Sequence, residues 1–460
     1  MPRLFGTDGV RGLANEFLVP DLALKLGRAA GRILVTKKNA SGNFQTKNSK
    51  YRAVVGRDTR ISGEFLSASL CAGLASTGID VIDVGIIPTP AVAYLSQNLG
   101  VELGAVISAS HNPMQDNGIK FFGSDGFKLP DEIENRIEDI LDDDFQAPLG
   151  GRVGHISYDF HNASNNYVNY LVDCIAQEDN REPLKGIKVV VDPANGAASW
   201  TAPEAMRKLG ADVIVINDSP DGVNINLNCG STHPEQLQSM TVAAQADLGI
   251  AFDGDADRII AVDEKGAIVN GDKIMGVIAQ NLQKAGKLKK NTIVATVMSN
   301  LGFLQTMKKQ GIKVLQTAVG DRYVTQTMRQ GGFTFGGEQS GHIINSNFST
   351  TGDGTLSGLM LMKIFAKSSY PLSNLVENIL SYPQVLLNVE NVDKTKIESN
   401  NNIKLAVSQA ERKLGNQGRI LLRPSGTEPV VRVMVEAKSQ DQALEIAENL
   451  AKIVVEFVGL

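Results

Sequence analysis

Cysteine, long apolar runs and surplus positive charge are all scarce in this chain, and each shortage removes a class of protein. Its 460 residues hold 3 cysteines, Cys71, Cys174 and Cys229, widely spaced and odd in number, which give neither a disulfide framework nor a Cys-x-x-Cys metal clip. Buried or incidental thiols in a reduced, cytoplasmic setting are expected instead. No apolar run approaches the roughly 18 residues of a spanning helix, and the opening MPRLFGTDGVRG has neither an apolar core nor a small-residue cleavage site. No membrane association and no secretory signal are therefore expected. A net charge of -5 and a pI near 5.7 argue against a nucleic-acid binder, while leaving room for a local basic pocket. What is plentiful is core-forming material. With 42% hydrophobic and 21% charged residues a disordered chain is excluded, and roughly 150 residues per domain suggests three or four domains.

One pattern recurs three times: a β-rich run ending in polar turn residues, a helical stretch, a glycine, and a second β-rich run. The copies are Ala53-Val54-Val55 to Asp58 with Gly78 and Val81 to Val84; Lys188 to Asp192 with Gly210 and Val213 to Ile216; and Thr292 to Thr296 with Gly311, Val314 and Leu315. Each unit has the size of a βαβ crossover, which implies parallel pairing and helices over the sheet faces. The glycines suit left-handed helix C-caps. The last ninety or so residues read differently, as short strands around 419–423 and 430–435 and a helix with Ala443, Ile446, Leu450, Ile453, Val454 and Phe457 at helical spacing. The strand-loop-strand of 253–269 reads as the link between the second and third units. Two polar stretches, 36–50 and 393–402, read as surface loops.

Four places can carry chemistry. Asp253, Asp255 and Asp257 alternate with Gly254 and Ala256 directly after the apolar run 248–252, and Arg258 follows. Three carboxylates so close repel one another unless a divalent cation joins them, and oxygen-only ligands favour Mg2+ over zinc. An EF-hand fails because Arg258 stands where its sharp turn needs glycine. The second place is Ser108-Ala109-Ser110-His111-Asn112-Pro113, past the strand 104–107, with Lys120 close behind. Alone it reads as an ordinary Ser/Asn turn, and without a Gly-x-Ser-x-Gly elbow it is no hydrolase triad. The third, Gly336 to His342, nearly matches a phosphate-binding P-loop, but histidine replaces the lysine. It leaves a carboxylate, a hydroxyl and an imidazole suited to sugar hydroxyls, or only a tight turn. The fourth, Arg423-Pro424-Ser425-Gly426-Thr427-Glu428-Pro429 with Arg432 beyond, has the donors of a nest for a phosphate dianion.

Together with the opening 4–12 (LFGTDGVRG), these motifs resemble the α-D-phosphohexomutase superfamily, nearly end to end and in the expected order. Gln339 is the residue typical of its glucosamine-phosphate branch, where phosphomannomutase/phosphoglucomutase relatives usually carry methionine. The 36–50 stretch looks longer than usual. The resemblance implies an α/β fold: three tandem α/β domains with mixed sheets plus a smaller C-terminal α+β domain around a central cleft. The expected domains are 1–152 with the phosphoserine loop, 153–254 ending in the metal loop, 255–370 with the sugar-binding loop, and 371–460 with the phosphate-binding loop. It also implies Ser110 as phosphoserine, with Asp253, Asp255 and Asp257 holding Mg2+ together with an oxygen of phospho-Ser110. Glu338 and Ser340 would bind sugar hydroxyls. Arg423, Ser425, Gly426, Thr427 and Arg432 would hold the non-reacting phosphate. Arg11, Lys120, Arg258 and His342 would line the transfer site, Lys120 or His342 moving the proton. The implied reaction interconverts glucosamine 6-phosphate and glucosamine 1-phosphate through a 1,6-bisphosphate, which serves as intermediate or activator, and feeds UDP-N-acetylglucosamine and cell-wall synthesis. The partner is a small-molecule sugar phosphate, and the state a monomer or a homodimer. A phosphomannomutase/phosphoglucomutase is the near alternative. A Mg2+-dependent phosphatase and a silent sugar-phosphate binder are more distant.

Overall fold

The computed structural model describes residues 3–6, 8–40, 51–176, 181–397, 399–424 and 430–460. It divides into two compact units, one of residues 1–298 and 312–377, the other of 299–311 and 378–460. The first unit contains three mixed sheets. The six-stranded sheet runs in the order Val10–Leu13, Asp116–Gly123, Leu103–Ile107, Arg52–Arg57, Asp80–Ile86 and Ile156–Tyr158. The five-stranded sheet runs Ile268–Val269, Ile259–Asp263, Leu248–Phe252, Lys188–Asp192 and Asp212–Val215. The four-stranded sheet runs Lys313–Thr317, Thr292–Thr296, Phe335–Gly337 and Ile343–Asn345.

All three expected crossovers are present. Arg52–Arg57 is parallel to Asp80–Ile86, Lys188–Asp192 to Asp212–Val215, and Thr292–Thr296 to Lys313–Thr317. Gly78, Gly210 and Gly311 take φ values of +92°, +94° and +74°, left-handed positions just past helix ends where a Cβ would be strained. In the first sheet the apolar alternation is readable residue by residue. Ala53 and Val55, Leu103, Ala105 and Ile107, and Ile119 and Phe121 share one core, so the period of two turns Lys120 to the opposite face. The helices Pro20–Ala40 and Ser62–Ser76 cover that core with Leu26, Ala30, Leu66, Leu70 and Leu74. They come close because Gly73 has no side chain, and a Cβ there would lie 2.2 Å from Leu24 O.

The second unit has a three-stranded antiparallel sheet, Gln384–Val389, Val431–Glu436 and Arg419–Pro424, packed against Asn401–Leu414 and Gln440–Val458. It is the smaller α+β body that the C-terminal composition called for. Among the described residues no helix is long and apolar enough to cross a membrane.

Several expected boundaries are corrected. Ile156–Tyr158 pairs with Asp80–Ile86, so the first sheet extends past residue 152. The division at 254 falls inside a hairpin, because Leu248–Phe252 and Ile259–Asp263 are neighbours in one sheet. The 253–269 stretch is therefore part of the second sheet and not a link between units. Leu372–Glu377 lies with the first unit, where the Ser373 hydroxyl donates to Glu264 at 2.5 Å. The 393–402 stretch contains the start of a helix, capped by Asn400, whose side chain accepts from the Asn402 and Ile403 amides. In the last helix Ala443, Ile446, Leu450, Ile453 and Val454 face the core as expected, and only Phe457 departs, being exposed while the neighbouring Val458 is buried.

Candidate active site

Each sheet of the first unit ends its parallel run in the same way. Leu103–Ile107, Leu248–Phe252 and Phe335–Gly337 each turn directly into an antiparallel partner. The connecting loops, 108–115, 253–258 and 338–342, thus lie at the carboxyl ends of parallel strands, where open α/β sheets leave room for ligands. They carry the first three motifs.

Ser110 is buried and held at φ +53°, a left-handed conformation that costs a residue with a Cβ about 1–2 kcal/mol. Its amide donates to Ser108 Oγ at 2.9 Å, and its hydroxyl donates to Asp253 Oδ2 at 2.5 Å, joining the first loop to the second. His111 Nδ1 is 3.3 Å from the same hydroxyl. Burial, then Arg258 and Arg11, press that imidazole down to about 4, so it is neutral near pH 7. Behind the serine, Arg60 Nη2 and Asn226 Nδ2 donate to its carbonyl at 3.2 and 2.9 Å.

The aspartate loop is unstable in its own charge. Asp253, Asp255 and Asp257 are buried and can each bring one oxygen within 4.8 Å of the others. Burial, then Asp257 and Asp255, push the Asp253 carboxyl well above the usual range, against Arg258 and the Ser110 hydroxyl. Asp255 Oδ1 and Asp257 Oδ1 are buried without a hydrogen-bond partner. Orphaned carboxylate oxygens in a mutually repelling, oxygen-only cluster fit a hard divalent cation. Lys120 Nζ lies 3.1 Å from Asp255 Oδ2 and 3.0 Å from Asp8 Oδ2. Burial works against its charge, but Asp255, Asp8 and Asp257 outweigh burial and hold the ammonium firmly protonated.

The third loop docks on the second. Gly341, at φ +93°, presses against Ile259, where a Cβ would meet the carbonyl oxygen at 1.9 Å, and its own carbonyl accepts from Ile259 N at 3.1 Å. This brings His342 Nδ1 to 3.5 Å from Asp257 Oδ2. Two influences on that ring oppose each other. Burial disfavours a proton, yet Asp257, Asp321 and Glu338 lift the imidazole to about 9. Gly352 N–H meanwhile points at Nε2 from 3.1 Å, which only a neutral ring can accept. The Gly352 contact and the carboxylate pull thus favour opposite states of the ring. Glu338 is buried and accepts from Gly320 N at 3.1 Å, whereas Ser340 is exposed at the loop tip.

Four consecutive segments match the phosphoglucomutase/phosphomannomutase family: its alpha/beta/alpha domain I over residues 2–147, domain II over 165–266, domain III over 270–382, and its C-terminal domain over 386–453. The chain belongs to this family. A phosphoglucosamine mutase of Bifidobacterium animalis subsp. lactis is 56% identical over 460 residues, which is 100% of both chains. The crystal structure of a phosphoglucomutase/phosphomannomutase family protein from Burkholderia thailandensis is 25% identical with a TM-score of 0.79, over 100% of this chain and 99% of that one. The fold is also shared with the Aspergillus fumigatus N-acetylphosphoglucosamine mutase, solved with GlcNAc-6P and magnesium, at a TM-score of 0.68 and 18% identity over 98% of this chain and 95% of that one.

The structure thus gathers Ser110, Lys120, Arg11, Arg258, His342 and the three aspartates of this family member, with Arg11 Nη1 3.4 Å from Ala109 O. In the second unit Arg423 stands directly opposite Arg432 across two antiparallel strands. Burial and that neighbouring guanidinium both press Arg423 toward losing its proton. Ser425, Gly426 and Thr427 lie outside the described residues. The sequence reading missed several participants. Asp8 ties together Lys120, Arg11 and Lys128, and Lys128 also pairs with Asp321. Asp58, Arg60 and Asn226 stand behind the serine. Thr89 Oγ1 donates to Asp255 Oδ2 at 2.7 Å. Asp8 and Asp58 sit beside glycine and arginine in short polar segments, the one available signal. Lys128, Asp321 and Asn226 give no local sign.

Proposed function

We propose that this chain is a phosphoglucosamine mutase, interconverting glucosamine 6-phosphate and glucosamine 1-phosphate through phospho-Ser110 and a 1,6-bisphosphate. The observation that carries the reading is the Ser110 hydroxyl, 2.5 Å from a carboxylate of a buried aspartate triad. Full-length relatives such as the Bifidobacterium phosphoglucosamine mutase support the substrate assignment, as does Gln339 beside Glu338.

Asp253, Asp255 and Asp257 would hold Mg2+ with an oxygen of phospho-Ser110, and the ion, when bound, would neutralise charge on the transferring phosphoryl group. Arg11, Arg258 and Lys120 would line the other side as cationic donors. In the first half-reaction the bond from phosphorus to Ser110 Oγ breaks and one to the sugar hydroxyl oxygen forms. The proton leaving that hydroxyl is balanced by one gained at Ser110 Oγ. Lys120 and His342, both beside the aspartates, are the groups placed to move that proton. Once the bisphosphate has turned over, the transfer runs in reverse with the other phosphate: its bond to the sugar oxygen breaks, one to Ser110 Oγ forms, the serine proton passes to the freed sugar oxygen, and phosphoserine is regenerated. Glu338 and Ser340 would bind sugar hydroxyls. Arg423 and Arg432, with Ser425, Gly426 and Thr427, would hold the non-reacting phosphate, and two facing guanidinium groups support an anion of two charges.

Mass mapping of phosphate to Ser110, combined with turnover on glucosamine 6-phosphate, tests the reading. Equal or faster turnover of glucose and mannose phosphates would instead make the chain a phosphomannomutase/phosphoglucomutase. Inorganic phosphate as the main product would make it a phosphatase.

A further inference from the structure

The segment Asp58-Thr59-Arg60 ends the Arg52–Arg57 strand and takes no part in the chemistry above, yet Asp58 and Arg60 are completely buried. Arg60 divides its guanidinium between two tasks. Nη1 pairs with Asp58, and Nη2 donates to Ser110 O at 3.2 Å and Asn112 O at 2.6 Å. From the second sheet's side, Asn226 Nδ2 donates to the same two carbonyls, at 2.9 and 3.1 Å. Asn226 is itself held at φ +58°, with its amide donating to Ala194 O at 3.0 Å. Gly254 completes the enclosure, since a Cβ there would lie 2.7 Å from Ser110 O.

We propose that Arg60 and Asn226 are positioning residues that clamp the Ser110 and Asn112 carbonyls and so aim the serine hydroxyl at the aspartate triad. The proposal rests on Ser110 being the phosphoryl carrier. A left-handed serine is not a resting conformation, and a peptide unit held by donors on both sides cannot rotate out of it. The need grows on phosphorylation. A phosphoserine brings up to about two negative charges toward three carboxylates, and repulsion drives the loop away whenever the cation is absent. The clamp acts on the far side of the backbone and resists that. Because Asp58 neutralises Arg60, the clamp does not compete for the phosphate as a second cationic site. The forked geometry explains arginine: one ammonium group has no rigid fork to serve a carboxylate and two carbonyls together.

The test compares Asn226→Ala, Asn226→Asp, Arg60→Lys and Ser110→Ala in the full chain, with Mg2+ and sugar bisphosphate supplied. Measured are kcat and KM for glucosamine 6-phosphate, the phosphorylated fraction at Ser110, and the melting temperature. Asn226→Ala should lower kcat roughly 10–100-fold, the cost of a misplaced reacting group, with KM within about twofold and little change in melting. Asn226→Asp keeps the shape but turns an acceptor toward two carbonyl oxygens, and should lose more. Arg60→Lys should fall at least as far. Should Arg60→Lys or Asn226→Asp fail to fold, Asn226→Ala decides alone, because it leaves the buried Arg60–Asp58 pair intact. Parental kcat and phosphorylation in Asn226→Ala, or a loss confined to KM, would overturn the clamp. Turnover retained by Ser110→Ala would instead overturn the phosphoserine reading beneath it.

Discussion

The aspartate loop of the first unit and the arginine pair of the second make the same sacrifice with opposite signs. In the loop, three buried carboxylates crowd together, and Asp253 is pushed toward keeping its proton. In the second unit, Arg423 faces Arg432 across a strand pair, and its charge is likewise disfavoured. Like charges directly opposed destabilise a sheet, and like charges buried destabilise a loop more. Neither like-charge contact is favourable in itself, and a ligand of opposite sign would relieve each. The two differ in depth. Asp253 and Asp255 are cut off from water, while Arg423 is half-buried. The triad should therefore respond more strongly to its ligand and to mutation than the arginines.

The largest effect should come from the hydroxyl that joins the triad to the reaction. Ser110→Ala should cut mutase turnover roughly a thousandfold or more, read by coupled assay, with the melting temperature nearly unchanged. Asp253→Asn should cut kcat about 100-fold or more, but it should also raise the melting temperature of the metal-free protein at pH 8 by about 1–2 °C. A carboxyl whose folded pKa is raised costs stability once the unfolded chain ionises, and asparagine removes that cost. A lower melting temperature in calorimetry with chelator would contradict the repulsion account. Arg423→Ala should act on binding instead, raising KM for glucosamine 6-phosphate about tenfold and leaving kcat within about threefold. A loss confined to kcat would erase the contrast between the two regions.

An effect on stability and not on turnover concerns the support behind the triad. Gly354 N donates to Ala256 O at 3.0 Å, and the preceding Asp353, buried and bonded by Tyr167 OH at 2.9 Å, is raised by burial to about 6. The folded chain then keeps a proton at pH values where the unfolded chain has released it. Stability should fall as pH rises from about 4 to about 6 and level off above, by ~3 kcal/mol at most. Urea unfolding at several pH values should show the slope, and Asp353→Asn should flatten it.

Reading the chain from its residues reached the three crossovers, because alternation of small and branched apolar residues and a glycine before each second strand are local signals. It also reached the aspartates at 253, 255 and 257, whose spacing alone poses an electrostatic problem. It misplaced the division at 254, since a sharp polar loop looks the same whether it separates domains or turns a hairpin. Most lysines are solvated, and only the strand register shows Lys120 turned inward beside Asp255. Lys128, Asp321 and Asn226 had no local pattern to announce them.

The order of residues by itself determined the parallel crossovers, the self-repelling carboxylates and the reactive types at each loop, because propensity, periodicity and charge spacing act over a few positions. Only the tertiary structure decided which loops meet. The hydroxyl of Ser110 reaches Asp253 across 143 positions of chain, and the Arg60–Asn226 clamp gathers donors from two sheets around one carbonyl. Such contacts are set by how whole sheets pack, so no short window of sequence contains their cause.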